Sequence, residues 1–328
     1  MITAMPNSRS RFKAVLGAGW VLLGLAAFLY ARMKGIPGGT ALPVAAAFLI
    51  EFPFYLWAGF DAPREWLAAR SKSQAASLLT VSAVLPWLVY TIPTGEFTPL
   101  ALAVLLIIAT AVSFWYVAWP AGALADAAFL IVPVAAVIAN VFHLLYRSPI
   151  AKVDVSILGH IMIIRTAALA LLTIRGHAGV EFRFLPNRRE WLGGARYFVM
   201  LLPVTGLVYW ALGLVRLRPH PLNAGLAAGT FLGILWVVAL SEEFFFRGLL
   251  LPWLGKWTRS ETAALIITSL LFGAVHLGFQ HKWPNWRFAT VAAVAGFFYG
   301  LAWRTTRSIQ TSMVTHALTV TFWRVFLQ

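Results

Sequence analysis

The sequence predicts an all-α, polytopic bundle of transmembrane helices, and three observations predict it. Hydrophobic residues make up 60% of the 328-residue chain and charged residues only 11%, against about 25% charged in soluble domains. The apolar residues are gathered into long runs, enough for roughly 10–11 segments of about bilayer length. Basic residues fall mostly in the short connections between those runs, the bias that orients inner-membrane proteins.

In chain order the runs cover roughly 14–31, 40–60, 75–93, 98–119, 121–145, 156–174, 197–215, 224–251, 262–279, 289–303 and 309–327. Arg9, Arg11 and Lys13 precede the first run, and Arg32 and Lys34 follow it. The run is long for a signal-peptide core and lacks a small-x-small cleavage site, so it is read as a retained first helix. Pro37-Gly38-Gly39, Pro93-Thr94-Gly95 and Pro149 punctuate the joints. The run at 156–174 contains His160 and Arg165, which suit either an interfacial helix or one facing a polar interior. The widest break, 175–196, holds Arg183, Arg188, Arg189 and Glu190. It divides an N-terminal transmembrane region, 1–174, from a C-terminal core, 197–328, with 175–196 as a basic loop.

Placing the N-terminus in the cytoplasm puts 15 Lys/Arg on that side and nine on the other, with Arg165 and Arg247 inside segments. The expected location is therefore a bacterial inner membrane, N-terminus in the cytoplasm. The net charge of +15 is read as orientation and lipid contact, not nucleic-acid binding. There is no cysteine, which excludes disulfides, a thiolate nucleophile and a Cys-bound zinc.

Most of the 11 acidic residues lie in loops or near segment ends; Ser241-Glu242-Glu243-Phe244-Phe245-Phe246-Arg247-Gly248 does not. An ionised group near mid-membrane costs about 2.5–3.5 kcal/mol even on lenient insertion scales. Glu243 and Arg247 are i,i+4 and so can pair on one helix face. Glu242 is turned about 100° from Glu243 and about 140° from Arg247, which leaves its carboxylate free to face a cavity as a general base. A structural ion pair explains Glu243 and Arg247 but not Glu242. His276, one turn after Phe272, and His316 come next, on two further apolar segments. Phe272 can pack on the His276 ring, and Gly273 and Ala274 permit close helix approach.

Glu-Glu-x-x-x-Arg, then Phe-x-x-x-His about 30 residues on, then a histidine in the last segment, together resemble the CPBP family of intramembrane proteases, which includes the CAAX prenyl endopeptidases and abortive-infection proteins. The resemblance covers roughly residues 197–327. It implies an endopeptidase acting on a membrane-associated peptide or protein, with no cofactor. Glu242 and His276 would activate water, Glu243 and Arg247 would brace the site, and His316 would hold the oxyanion. The family commonly has Asn or Asp four residues after the last histidine; here that residue is Val320, which cannot donate a hydrogen bond. Thr319, about 60° round the helix from His316, is the best substitute on that helix.

Three other readings use the same residues. Two histidines and a glutamate can bind a catalytic zinc, although no His-Glu-x-x-His is present. Intramembrane Glu, His and Arg also suit a proton relay in a transporter, without visible paired broken helices, or a scaffold. A non-catalytic relative that binds partners is the third. His143, His160, His177, His220 and His281 lack partners at ligand spacing and are read as bundle or interfacial residues. The 15 tryptophans are read as interface anchors. Asn285 lies in the loop after His276, close enough in sequence to reach the site.

Overall fold

Inside a bilayer every backbone N–H and C=O must find its partner within the protein, which for single apolar runs leaves the helix. The computed structural model describes residues 8–176, 182–214, 224–279 and 282–326, and every regular element among them is helical. His177, His220 and His281 lie outside the described residues. The chain forms two compact units, residues 1–178 and 179–328.

The first unit contains α1 (Ser8–Lys34), α2 (Gly38–Trp57), α3 (Asp61–Ala68), α4 (Lys72–Thr94), α5 (Pro99–Ala118), α6 (Ala123–Ile138), α7 (Val141–Leu145) and α8 (Ser156–Leu169), the last extended by a π-helical turn, Ala170–Ile174. Local chemistry sets several boundaries. A reciprocal Ser71–Gln74 capping box starts α4, and Gly95, at φ 77°, stops it. Thr98 caps α5, whose first residue is Pro99. The run expected over 121–145 is broken at Asn140, which takes a left-handed conformation between α6 and α7.

The centre of this unit is polar. Arg165 of α8 is fully buried and ion-paired to Glu51 of α2. Its Nη1 donates to Ser82 Oγ of α4 at 2.8 Å and its Nη2 to the Ser82 carbonyl at 2.8 Å. Of the two readings open for 156–174, the packed polar interior is the one observed.

The second unit begins its regular structure with α9 (Arg188–Ala211), inside the stretch expected to be a loop. Asn187 accepts from the Glu190 backbone N–H while the Glu190 side chain accepts from Asn187, a capping box that starts the helix early. Arg188, Arg189 and Arg196 are therefore helical. From Ala224 to Thr258 the chain is one helical path: α10 (Ala224–Gly233), a π stretch (Ile234–Ala239), α11 (Leu240–Glu243), a second π stretch (Phe244–Leu250) and α12 (Leu251–Thr258). Pro252 has no N–H to offer the Gly248 carbonyl, which favours the wider turn before it. The unit is completed by α13 (Glu261–Ala274), α14 (Trp286–Thr306) and α15 (Ile309–Phe326).

Six of the described helices are long and apolar enough to cross a membrane: α1, α2, α4, α5, the α8 helix with its π turn, and α9. Two apolar helices, α6 and α13, are shorter. The 224–258 path, divided by π turns, and α13, which stops at Ala274, do not enter that number. In addition, α15 spends its first half on buried polar side chains, among them Gln310, Thr311, Ser312 and Thr315.

Helices α13 and α14 approach closely, and this contact fixes the position of Phe272 and the end of α13. A Cβ on Gly273 would lie 2.6 Å from the Ala289 carbonyl oxygen, and one on Gly296 would lie 3.1 Å from the Phe272 ring. Gly273 is required by this contact and not by its backbone angles, and at Gly296 a methyl group would be tight against the ring.

Candidate active site

Glu242 and Glu243 sit on α11, between the two π stretches. Such stretches widen a helix locally and recur at functional sites. Glu243 and Arg247 are both fully buried, and Arg247 Nη1 donates to Glu243 Oε1 at 3.0 Å. Arg247 Nη2 donates to the Gly296 carbonyl at 2.6 Å, and its guanidinium carbon lies 4.7 Å from the Phe272 ring centroid. The arginine thereby ties α14 and the end of α13 to the acidic helix.

Glu243 has a second partner that helical spacing alone cannot show. His316 of α15 places Nδ1 2.9 Å from the same Oε1. A carboxylate accepts, so His316 Nδ1 carries the proton, and Nε2 donates only when the ring is protonated.

His276 lies just beyond α13, not within it as the length of the apolar run suggests. The His276 backbone N–H bonds Gly273 O at 3.0 Å, a tighter turn than the α-helix, and so abandons the Phe272 carbonyl. The His276 ring recovers that orphan: Nδ1 donates to Phe272 O at 2.7 Å. The neutral ring then keeps a lone pair on Nε2. Phe272 packs against the same ring, with centroids 4.9 Å apart.

Glu242, His276 and His316 line one cavity of about 240 Å³. Thr319 and Val320 are on its wall as well. Thr319 Oγ1 donates to the Thr315 carbonyl at 2.7 Å, so its single proton is engaged within α15. The cavity is otherwise mostly apolar and aromatic. Glu242 Oε2 is buried and has no hydrogen-bond partner, which is costly for a carboxylate oxygen unless something else is to occupy the space beside it.

Tyr299 of α14 is a residue that the sequence pattern does not single out. It is buried, lines the cavity, and stacks on His316 with centroids 4.7 Å apart and ring planes 14° apart. A tyrosine in an apolar helix carries its own signal, because a buried hydroxyl needs a partner. Asn285, by contrast, is a helix cap: Oδ1 accepts from Phe288 N–H at 3.3 Å and Nδ2 donates to the Phe279 carbonyl at 3.2 Å.

Among the described residues no three His, Asp or Glu side chains converge at metal-ligand spacing. Glu243 Oε1, the carboxylate oxygen nearest His316, is already shared with Arg247.

Residues 224–322 match the family model described as type II CAAX prenyl endopeptidase Rce1-like. The match begins later than the resemblance read from the sequence, leaving α9 outside it, and includes Glu242, Glu243, Arg247, Phe272, His276, Tyr299, His316 and Thr319. No curated protein and no solved structure is significantly similar to the chain. The chain is thus an integral membrane protein whose residues 224–322 are similar to the Rce1-like type II CAAX prenyl endopeptidases.

Proposed function

We propose that the cavity is the active site of a metal-free glutamate endopeptidase that hydrolyses a peptide bond of a membrane-associated substrate. Glu242 takes a proton from water, and the oxygen attacks the scissile carbonyl. The same proton passes to the leaving amine as the tetrahedral intermediate collapses. His276, with Nδ1 held by the Phe272 carbonyl, accepts a hydrogen bond from the water at Nε2 and fixes its direction. His316, with Nδ1 held by Glu243, donates from Nε2 to the oxyanion in its protonated form. Glu243 and Arg247 keep this histidine in place and do not touch the substrate.

The observation that carries the reading is the unpartnered Glu242 Oε2 beside a cavity shared with both histidines. A transporter relay would need polar groups leading onward from that carboxylate, whereas the other cavity walls are mostly apolar. The excess of basic residues on one side of the sequence supports a bacterial inner membrane with the N-terminus in the cytoplasm.

The test is Glu242→Gln, which keeps the shape and removes the base. Membrane proteomes from cells carrying the wild-type or the variant chain are compared for a peptide that stops being trimmed. Equal expression and helicity with lost cleavage is expected; full cleavage by Glu242→Gln removes the central residue from the mechanism.

A further inference from the structure

Position 320 poses a chemical problem. An oxyanion formed in a cavity with little water needs more than one donor aimed at it, and loss of a single donor commonly lowers kcat about 10²–10³-fold. Val320 offers none and stands on the cavity wall. Thr319, the nearest hydroxyl on α15, spends its proton on the Thr315 carbonyl at 2.7 Å. On α15 this leaves His316 as the donor near Glu243, because the other donors of that helix on the wall, Trp323 and Arg324, stand about two helical turns further along.

We propose that Tyr299, from the neighbouring helix α14, is the second oxyanion donor in this chain and a catalytic residue. Its ring is stacked on His316 at 4.7 Å, so its hydroxyl is carried along the same side of the cavity as the histidine. Phe272 stands across the edge of this stack, its centroid 5.8 Å from both the Tyr299 and the His316 ring and its plane at 85° and 81° to them. The backbone is pinned as well: Ser312 Oγ donates to the Tyr299 carbonyl at 2.6 Å, locking α14 to α15 beside His316. Ring and backbone are fixed, and one rotor remains, the phenolic O–H.

Thr319, on the same cavity wall, is the resting acceptor assigned here to that hydroxyl. Thr319 has already committed its own proton, so Tyr299 is the donor of the pair. When an oxyanion forms, the phenolic proton exchanges a neutral acceptor for a charged one, a stronger bond reached by rotation about a single bond. No proton is transferred. Thr319 is thus the resting acceptor that holds the hydroxyl ready, rather than the donor its position on α15 suggests.

This inference rests on the proposed endopeptidase reading, and the experiment separates the two. The full-length protein in detergent is assayed with internally quenched peptides, one ending in a farnesylated Cys-aliphatic-aliphatic-X sequence and the others in unmodified transmembrane sequences. Cleavage by the wild type that is lost in Glu242→Gln upholds the reading; no cleavage of any peptide, or cleavage by both, overturns it and the inference with it. Given cleavage, Tyr299→Phe keeps the ring stack and removes only the proton. Its kcat is expected to fall about 10²–10³-fold with KM changed less than about threefold. Adding Val320→Asn to Tyr299→Phe is expected to recover at least tenfold of that loss, which a merely structural role for the hydroxyl would not allow. Tyr299→Phe with kcat within threefold of wild type overturns the proposal. Should Tyr299→Phe fail to fold, Val320→Asn alone decides. A change in kcat within threefold agrees with a second donor already present, and a larger rise shows the site lacked one and overturns the proposal.

Discussion

Each half of the chain buries an arginine and a glutamate among apolar helices, yet the two pairs are finished differently. In the first unit every nitrogen of the Arg165 guanidinium is bonded, two of them to Glu51, one to the Ser82 hydroxyl and one also to the Ser82 carbonyl. In the second unit Arg247 Nε, Glu243 Oε2 and Glu242 Oε2 are buried without a partner, and a cavity adjoins Glu242. Saturated charge is what a fold needs to hold helices together. Unsaturated charge beside a void raises energy in the resting protein and is kept where another molecule is to complete it.

The largest expected effect comes from unbalancing the saturated pair. Glu51→Leu leaves the Arg165 charge buried without its counter-ion, and a loss of about 3–5 kcal/mol is expected. Glu242→Leu in the second unit removes an oxygen that has no partner, and stability within about 1 kcal/mol of wild type, or slightly above it, is expected. Chemical unfolding in mixed micelles reads both. Comparable destabilisation by the two variants would erase the distinction between a structural and a reactive glutamate.

Much of this is legible in the sequence because it depends on spacing within one helix. Glu243 and Arg247 lie four apart and pair; Glu242 is turned away from them and meets the cavity; Phe272 lies one turn before His276 and packs on it. What the sequence does not carry is the meeting of different helices. The bond between His316 and Glu243 crosses from α15 to α11, 73 residues away. The stack of Tyr299 on His316 joins two helices tied by the Ser312 hydroxyl to the Tyr299 carbonyl, a contact that periodicity does not carry. The end of α13 is hidden for a related reason. The apolar run continues past Ala274, but the His276 ring, by taking the Phe272 carbonyl, lets the helix stop there. The early start of α9 is readable in principle, since Asn187-x-x-Glu190 is a capping box, but the basic residues around it suggest a loop.

A paired replacement sharpens the comparison at intermediate size. Glu51→Leu combined with Arg165→Met exchanges two buried charges for apolar groups of similar volume. It is expected to regain most of what Glu51→Leu loses, because buried ion pairs are often matched or exceeded by good packing. Cleavage by this variant should stay within about threefold of wild type. Glu243→Leu combined with Arg247→Met is expected to fold comparably, yet to lower kcat by about 100-fold or more, since His316 loses the acceptor on Nδ1 (order of magnitude as for removal of an oxyanion donor). Activity that survives the second replacement would make Glu243 and Arg247 as purely structural as Glu51 and Arg165.

The smallest expected effect asks what completes Glu242. If a metal ion filled the space beside the carboxylate, the second unit would be as saturated in its working state as the first, and the contrast would vanish. The ligand arrangement argues against this, because no three His, Asp or Glu side chains converge among the described residues and Glu243 Oε1 is doubly engaged. Water needs less: one acceptor on Glu242, one lone pair on His276, and room in a cavity of about 240 Å³, where a single water takes about 30 Å³. Prolonged treatment with a strong chelator should therefore change the cleavage rate by less than about twofold, with no gain on adding back zinc. Loss of activity on chelation, reversed by zinc, would assign the unpartnered oxygen to a metal and turn the glutamate from base to ligand.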